Sequence, residues 1–353
     1  LYTHDPEDPH SIASNDTNAL VRDEVGGIWI ATWPGGLDYL APGSKKFRHY
    51  RIDSAERPDS KLNISRALHI DADKDLWIGT EKGVMMLKAG APWEDRYTLD
   101  TPASRINRFY SDRSGTVWAG TLSAGLLRWE RGSDTTIRYR QRADDPHSLP
   151  SEDIRSLMQD RGGMLWIGTF TDGISLVNRN TRGFQRFIPN TQNEAGELPG
   201  SSVQAMSGAP NGQLWIGNTS GFSLFDPASG EVLRRYQSRP GQPGALSNDI
   251  VYSLYQQPGG PLWVGTSAGL NRLDNVDGSF SVVRFDSLAS GFINTIAPSA
   301  DGSLWLGTGA DVIRLDVSVL DKNRRPVRGL ELEDFTVTED GTPQRVVAIA
   351  AVD

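Results

Sequence analysis

Residues 163–169 read GMLWIGT, and this short strand-like pattern around a tryptophan decides the fold because it recurs along the whole chain. The tryptophans of successive copies lie 48, 41, 48, 49, 48 and 42 residues apart. A period of about 40–50 residues is typical of propellers and solenoids, in which each repeat forms one supersecondary unit. The other six copies are GGIWIAT (26–32), KDLWIGT (74–80), GTVWAGT (115–121), GQLWIGN (212–218), GPLWVGT (260–266) and GSLWLGT (302–308).

Each repeat predicts four short β-strands separated by glycine, aspartate, asparagine and proline turns. In the fourth repeat we expect these strands at residues 154–159, 164–169, 174–177 and 184–187. Alternation along the second strand places Trp166 and Gly168 on one face and the neighbouring apolar residues on the other. Both faces are expected to be buried between adjacent units, with the glycine leaving room for the neighbouring unit's indole ring. The sequence therefore predicts an all-β fold, a seven-bladed β-propeller of four-stranded blades, over residues 1–316.

The two ends of the repeat region are expected to meet in one blade. The segment HDPEDPHSI (4–12) aligns with RADDPHSL (142–149), which places Tyr2 opposite Tyr139 at the end of an outermost strand. The seventh repeat, in contrast, ends after a third strand, VIRLD (312–316). We therefore expect the N-terminal strand to complete the last blade, an arrangement that closes a ring and protects its edges.

The composition excludes several classes of protein. Hydrophobic residues make up 37% of the chain and there are 10 tryptophans, which is too apolar for a disordered protein. A net charge of −8 without a basic cluster argues against nucleic-acid binding. No apolar run reaches the roughly 18–20 residues that cross a bilayer, and the absence of cysteine excludes disulfides and iron–sulfur clusters. The sequence begins at Leu1 without a signal peptide, so we expect it to be a segment of a longer protein.

A ring of polar side chains is predicted at one end of the central channel. The residue eleven positions before each repeat tryptophan has a side chain capable of hydrogen bonding in all seven repeats, whereas the residue two positions further on is always apolar. An unsatisfied polar group in a dry core costs about 1–3 kcal/mol, so we expect the polar set to face water at the channel mouth. A solvated funnel without a specific ligand is the alternative. These candidate ligand-binding residues are Asn18, Arg66, Asn107, Arg155, Gln204, Tyr252 and Asn294.

Two aromatic residues in the loops between second and third strands are further candidates for ligand binding. Trp33 lies in ATWPGG and Phe170 in GTFTDG, and these loops are expected to open at the same end as the polar ring. Aromatic faces beside arginine, asparagine and glutamine suit a sugar, which has apolar C–H faces and a rim of hydroxyl groups. Glu81 and Asp172 occupy equivalent loops. Packing of Trp33 on a neighbouring loop is the alternative interpretation.

No enzymatic activity and no cofactor are expected. General acid–base catalysis would need histidine or carboxylate side chains that converge on the channel, and the polar ring contains neither. His10 and His147 occupy the same place in two DPHS loops, which marks them as repeat consensus. His69 is expected to be a partly buried residue of an innermost strand.

Three aspartates in DADKDLW resemble a calcium-binding loop. However, Leu76 stands where such a loop needs glycine, and the stretch falls on the turn between the first and second strands, away from the polar ring. A polar hairpin without a metal is therefore the favoured interpretation for Asp71, Asp73 and Asp75.

The segment SLPSEDIRSLMQDRGGMLWIGTFTDGISLVN (148–178), with the DP-rich loop before it, resembles the two-component regulator propeller repeat. The resemblance recurs seven times over residues 1–316. It implies the periplasmic or extracellular sensor part of a bacterial signalling protein, such as a hybrid histidine kinase that senses oligosaccharides or a membrane-bound cyclic-dinucleotide synthase. Streptogramin lyases share the broad style of repeat, but no paired histidine and glutamate stand at channel positions here.

The tail at residues 317–353 does not continue the repeat. It lacks tryptophan, and Asp340–Gly341 between two strand-like runs predicts a β-hairpin. It resembles the leading segment of a bacterial family related to von Willebrand factor A domains, without the metal motif of those domains. The segment is too short to bury a core alone. The matching residues are Asp321, Pro326, Val327, Asp334, Phe335, Val337, Glu339, Asp340, Gly341 and Gln344, while Arg324 replaces the first glycine.

These features together predict an extracytoplasmic propeller that senses a small molecule or oligosaccharide at the channel mouth. Its expected partners are that ligand and a downstream signalling module in the full-length protein, with no nucleic acid and no membrane contact by this segment. The sequence leaves homodimer formation open. A protein–protein or surface-attachment scaffold is the alternative function, and a streptogramin-lyase-like enzyme is a third.

Overall fold

The computed structural model describes most of the repeat region and two short strands of the tail. The described residues are 2–52, 64–178, 183–187, 198, 200, 202–239, 241–242, 244–273, 279–283, 291–299, 303–309, 312–315, 337–339 and 342–344.

Seven antiparallel sheets form the blades, and each sheet keeps its strands in chain order. Blades 1–3 consist of β1 (Asp16–Arg22), β2 (Ile28–Trp33), β3 (Gly36–Leu40), β4 (Phe47–Tyr50); β5 (Ser65–Ile70), β6 (Leu76–Thr80), β7 (Gly83–Leu87), β8 (Tyr97–Thr98); and β9 (Ile106–Ser111), β10 (Val117–Thr121), β11 (Leu126–Trp129), β12 (Ile137–Tyr139). Blades 4–7 consist of β13 (Ile154–Gln159), β14 (Leu165–Thr169), β15 (Ile174–Asn178), β16 (Gly183–Phe187); β17 (Val203–Gly208), β18 (Leu214–Asn218), β19 (Gly221–Asp226), β20 (Glu231–Tyr236); β21 (Val251–Gln256), β22 (Leu262–Thr266), β23 (Gly269–Leu273), β24 (Phe280–Val283); and β25 (Ile293–Pro298), β26 (Leu304–Thr308), β27 (Val312–Leu315).

This architecture confirms the predicted all-β, seven-bladed propeller. In the fourth blade the strand bounds agree with the predicted ones to within one residue. For example, β14 begins at Leu165 rather than at residue 164. The helical content of the described residues is two single 3₁₀ turns, Trp93–Asp95 and Pro210–Gly212. Among these residues, no helix has the length and hydrophobicity needed to cross a bilayer.

The second strand of each blade carries the core. In six of the seven blades all five of its residues are buried, as the two-sided burial inferred from LWIGT requires. The repeat tryptophans reach across to the next blade: the ring centroid of Trp77 lies 5.2 Å from that of Trp129, and Trp166 lies 5.9 Å from Phe225. Apolar contact between neighbouring blades therefore holds the ring together.

The role expected for the repeat glycine is wrong in one respect. A methyl group built on Gly120 would lie 2.6 Å from Cγ2 of Ile154, and one built on Gly217 would lie 2.7 Å from Cγ1 of Val251. Those atoms belong to the first residue of the next blade's innermost strand, not to an indole ring. The glycine is needed because a branched side chain of the neighbouring strand occupies the place of its missing Cβ.

The last blade is closed by the N-terminal end of the described chain. Tyr2 pairs antiparallel with Val312 of β27, with its amide donating to the Val312 carbonyl at 3.1 Å. Its ring stacks on Trp305 at 6.1 Å and meets Phe47 of blade 1 edge-on at 5.4 Å. Tyr139 makes the same two contacts in blade 3, with Trp118 at 6.0 Å and Phe184 of blade 4 at 5.9 Å.

Two further strands lie in the tail, β28 (Val337–Glu339) and β29 (Thr342–Gln344), and they pair antiparallel. This pairing confirms the predicted hairpin. Of the residues that carry the tail's resemblance, Asp321, Arg324, Pro326, Val327, Asp334, Phe335, Asp340 and Gly341 lie outside the described residues.

Candidate functional site

The polar ring predicted from the sequence coincides with an irregularity of the backbone. In every blade the innermost strand carries a β-bulge, and in every blade the unpaired extra residue is the ring residue. A bulge inserts one residue into the ladder and redirects its side chain. The seven bulge residues, each half-buried, are Asn18, Arg66, Asn107, Arg155, Gln204, Tyr252 and Asn294.

Three of the ring residues bond to the backbone of the next blade. The side-chain amides of Asn18, Asn107 and Asn294 donate to backbone carbonyls of the next blade's innermost strand. The acceptors are Ser65 at 3.0 Å, Ile154 at 2.9 Å and Thr17 at 3.2 Å. These asparagines therefore have a structural role as well as a place at the channel mouth.

A cluster of charged residues fills the mouth at blades 2–4. Arg66 donates to Glu81 at 2.9 Å and to the Asn18 side chain at 3.2 Å. The Arg155 guanidinium makes a two-pronged contact with the Asp153 carboxylate, at 2.7 and 2.8 Å. Two-pronged contacts of this kind fix the plane of the guanidinium.

Arg105 lies among these charges. Burial lowers the pKa of its guanidinium; Glu81 and Asp153 raise that pKa, and Arg66 and Arg155 lower it. Its Nε donates to the Asn107 side chain at 3.0 Å. Arg105 thus joins two ring positions in one electrostatic network.

Burial also raises the pKa of Asp16, an effect that the nearby Arg66 opposes. The mouth therefore holds both signs of charge within a small area, and polar ligands with hydroxyl groups could donate to and accept from it.

Aromatic side chains lie at the same end. Phe170 is 41% exposed, and the Arg155 guanidinium stands over its ring at 4.6 Å, which places this loop beside the polar ring. Trp33 is 44% exposed at the end of β2. Phe292 is 40% exposed and lies 5.5 Å from the ring of Tyr252.

Sequence reasoning missed Arg105, Asp153 and Phe292. All three stand two residues before the bulge residue of their blade, thirteen positions before the repeat tryptophan. The same counting that identified the ring would have found this second set of positions. Gln204 donates to Ser202, which stands at the equivalent position of blade 5.

At the end of the propeller opposite the mouth, aspartates form hydrogen bonds and ion pairs at the turn between first and second strands. Asp71 accepts the backbone amides of Asp73 and Asp75 and, at 2.7 Å, the indole N–H of Trp77. Asp73 pairs with Arg131, and Asp75 pairs with Lys88 at 2.8 Å. Asp112 and Asp160 bind the indoles of Trp118 and Trp166 in the same way. This geometry is that of the polar hairpin favoured from the sequence.

His69 is held inside the molecule. Its Nε2 lies 2.5 Å from the Ser111 hydroxyl of the next blade, and burial lowers the pKa of the imidazole to about 4. His10 and His147 lie exposed in their DPHS loops, where their carbonyls accept the amides of Phe47 and Phe184.

Two segments of the chain match a family model of propeller repeats. The model of the family described as "Two component regulator propeller" matches residues 148–171 and 287–310. No curated protein matches the sequence.

Solved structures share the fold at low identity. The extracellular domain of BT4673 from B. thetaiotaomicron, described as a one-component or hybrid two-component system, is 17% identical with a TM-score of 0.71 and covers 91% of this chain. This chain spans only 40% of that solved protein. Virginiamycin B lyase from Staphylococcus aureus is 14% identical with a TM-score of 0.67, covering 89% of this chain and 97% of the lyase. At these identities the likeness establishes the propeller fold alone.

Proposed function

We propose that this chain is the ligand-binding propeller of a bacterial signalling protein, located in the periplasm or outside the cell, and that it recognises an oligosaccharide at the channel mouth. The observation that carries the proposal is the meeting of aromatic faces with amide and guanidinium groups at one end of the ring. Phe170 under Arg155 is the best example. The two-component regulator propeller repeats support the signalling role.

The chemistry of the mouth suits a neutral or acidic sugar. The exposed rings of Trp33, Phe170 and Phe292 offer flat apolar surfaces for the C–H faces of pyranose rings. Arg155 is held between the Asp153 carboxylate and the Phe170 ring, so little side-chain entropy is lost when a hydroxyl group binds to it.

Signal transmission would follow from the stiffness of the closed ring. Each innermost strand packs against the innermost strands of both neighbours, so the ligand is expected to change the placement of the propeller against the downstream signalling module rather than the blades themselves. A coupling free energy of about 1–3 kcal/mol is sufficient for such a response.

A thermal-shift screen against soluble oligosaccharides tests the proposal. A ligand at 100 times its dissociation constant adds about 2.7 kcal/mol to the free energy of unfolding, which raises the melting temperature measurably. We expect one class of glycan to do so, and expect Phe170→Ala and Trp33→Ala to reduce the shift at least threefold.

The matched control is Leu233→Ala, which removes a 49% exposed apolar side chain from the outer strand β20, away from the mouth. This variant should respond like the unsubstituted chain. A panel in which no glycan shifts the melting temperature, although the chain unfolds cooperatively, would contradict sugar binding.

A protein-binding scaffold, either for another protein or for a second copy of the chain, is the second candidate function. The exposed Leu122 and Phe292 favour it, because both lie with Trp33 and Phe170 at the mouth end and give that face an apolar rim. Loss of a partner or of dimerisation in Leu122→Asp, without any glycan response, would favour this candidate.

We propose in addition that the chain does not catalyse a reaction. The support is chemical: an imidazole with a pKa of about 4, such as that of His69, is a weak general base at neutral pH. The histidines at positions 10 and 147 lie in loops at the outer strands rather than in the channel wall.

A further inference from the structure

One arginine interrupts a ring of small side chains inside the channel mouth. The residue after the bulge lies on the innermost strand of every blade, and in six blades it is small and buried. In blade 3 the same position is Arg108, which pairs with Gly120 across the blade. The six small residues are Ala19, Ala67, Ser156, Ala205, Ser253 and Thr295.

The side chain of Arg108 has one direction open to it. The equivalent Ser156 and Ser253 donate to the carbonyls of Val203 and Ile293 on the next innermost strand, at 3.5 and 3.2 Å, so this position borders the gap between neighbouring strands. Beside it, the space over Gly120 is filled by Ile154. Because an arginine is too long for that gap, we expect its guanidinium to extend into the central channel.

Among the described residues, none supplies a counter-charge to the guanidinium of Arg108. Within this part of the chain no hydrogen bond or ion pair reaches it, whereas Arg66 and Arg155 of the polar ring each pair with a carboxylate. Burial lowers the pKa of Arg108, and no neighbouring charge contributes to that shift. Arginine nevertheless stays protonated at neutral pH, so the channel holds a partly desolvated cation.

We propose that Arg108 is an oxyanion-binding site in the central channel, which takes a carboxylate or sulfate group. The planar guanidinium presents its N–H groups in a fork that matches two oxygens of such a group. Two sources would supply the anion: a free inorganic ion, or the acidic group of a sugar bound at the mouth. The second source rests on the proposed sensing function, and the first does not.

Thermal unfolding with matched anions and sugars tests this site. The probes are sodium sulfate against sodium chloride at equal ionic strength, and trigalacturonate against its neutral methyl ester. We expect at least one acidic probe to raise the melting temperature of the unsubstituted chain and to lose most of that effect in Arg108→Ser and Arg108→Gln. Serine is the residue at two equivalent positions, and glutamine keeps much of the length without the charge.

Arg142→Ser is the matched control, since Arg142 is exposed in an interblade loop and pairs with Asp144. It should respond to the acidic probes like the unsubstituted chain. In a buffer without sulfate or carboxylate, Arg108→Ser should melt no lower than the unsubstituted chain, because it removes an uncompensated cation.

The possible results distinguish the two sources of the anion, and they distinguish this anion site from the proposed sugar sensing. If sulfate raises the melting temperature and the Arg108 variants lose that rise, the site binds a free anion. If trigalacturonate does so and sulfate does not, the site binds the acidic group of a sugar. Equal shifts in all variants, or no shift with any acidic probe, would overturn the site. If neutral sugars raise the melting temperature regardless of Arg108, sugar sensing stands while this inference fails.

Discussion

Single residues in this propeller are constrained by atoms about one repeat away in the sequence. Gly120 and Gly217 must be glycine because Ile154 and Val251 of the following blade fill the place of a Cβ. In blades 2–4 the aspartate six residues before the repeat tryptophan accepts its indole N–H, as Asp160 does for Trp166 at 2.8 Å. Blades 2–4 thus combine a buried tryptophan ring, a satisfied indole donor and a close approach of the next strand to the repeat glycine.

His69 makes the stability of the fold depend on pH. The imidazole is neutral in the folded chain down to about pH 4, whereas in the unfolded chain its pKa is about 6.5. Between these values the unfolded chain binds the extra proton, so the free energy of unfolding falls as the pH falls. The contribution is complete above pH 6.5 and is lost towards pH 4.

We predict that His69→Gln reduces the loss of stability between pH 7 and pH 5 by about 2 kcal/mol, measured by urea unfolding. Glutamine retains a polar group for Ser111 but does not titrate. His147→Gln, which changes an exposed loop histidine, should leave the pH dependence as it is in the unsubstituted chain. An unchanged pH dependence in His69→Gln would show that another group is responsible.

At the scale of the element, the bulge of the innermost strand organises the candidate site. It takes one side chain per blade out of the ladder and places it at the mouth, where it can bond to the next blade or within its own blade. Asn107 does the former, with its amide on the Ile154 carbonyl at 2.9 Å, and Gln204 bonds within its own blade to Ser202.

We predict that Asn107→Ala lowers the free energy of unfolding by about 1–2 kcal/mol, because the Ile154 carbonyl loses its side-chain donor. Gln204→Ala changes an equivalent bulge residue without an interblade bond and should cost less than half as much. Chemical unfolding of both variants is the measurement. If the two variants prove equally stable, the interblade bond contributes nothing.

At the scale of the whole molecule, Tyr2 near the N-terminal end takes part in closing the ring. Tyr2 pairs with Val312 and lies between Trp305 of the last blade and Phe47 of the first. It therefore occupies in blade 7 the place that Tyr139 holds in blade 3, at a seam that joins residues about 300 positions apart.

We predict that Tyr2→Ala lowers the free energy of unfolding by about 1–3 kcal/mol, since it removes a half-buried ring from both aromatic contacts. Tyr2→Phe keeps both ring contacts and the backbone pairing, and should stay within about 0.5 kcal/mol of the unsubstituted chain. Thermal unfolding measures both changes. A Tyr2→Ala variant as stable as Tyr2→Phe would mean that the ring is closed by other contacts.

Periodicity in the sequence was sufficient to predict the architecture. The regular spacing of seven tryptophans predicts the number of blades. Strand alternation around each tryptophan, with turn residues between the strands, predicts the form of the blade and the position of the polar ring. These features could be predicted because each depends on residues that lie close together in the chain. The order of the predicted strands placed Trp33 and Phe170 in loops between second and third strands. In the structure Trp33 is the last residue of β2, Phe170 follows β14 directly, and both side chains are exposed.

Only the tertiary structure decided which atoms meet between blades. The isoleucine or valine against the repeat glycine belongs to the next blade, so it depends on how two repeats pack. The bulge at every ring residue and the Arg155–Phe170 contact depend on how the first two strands of a blade pair in space. A local sequence pattern specifies on which face of a strand a side chain lies, whereas the packing of strands and repeats specifies which atoms that side chain contacts.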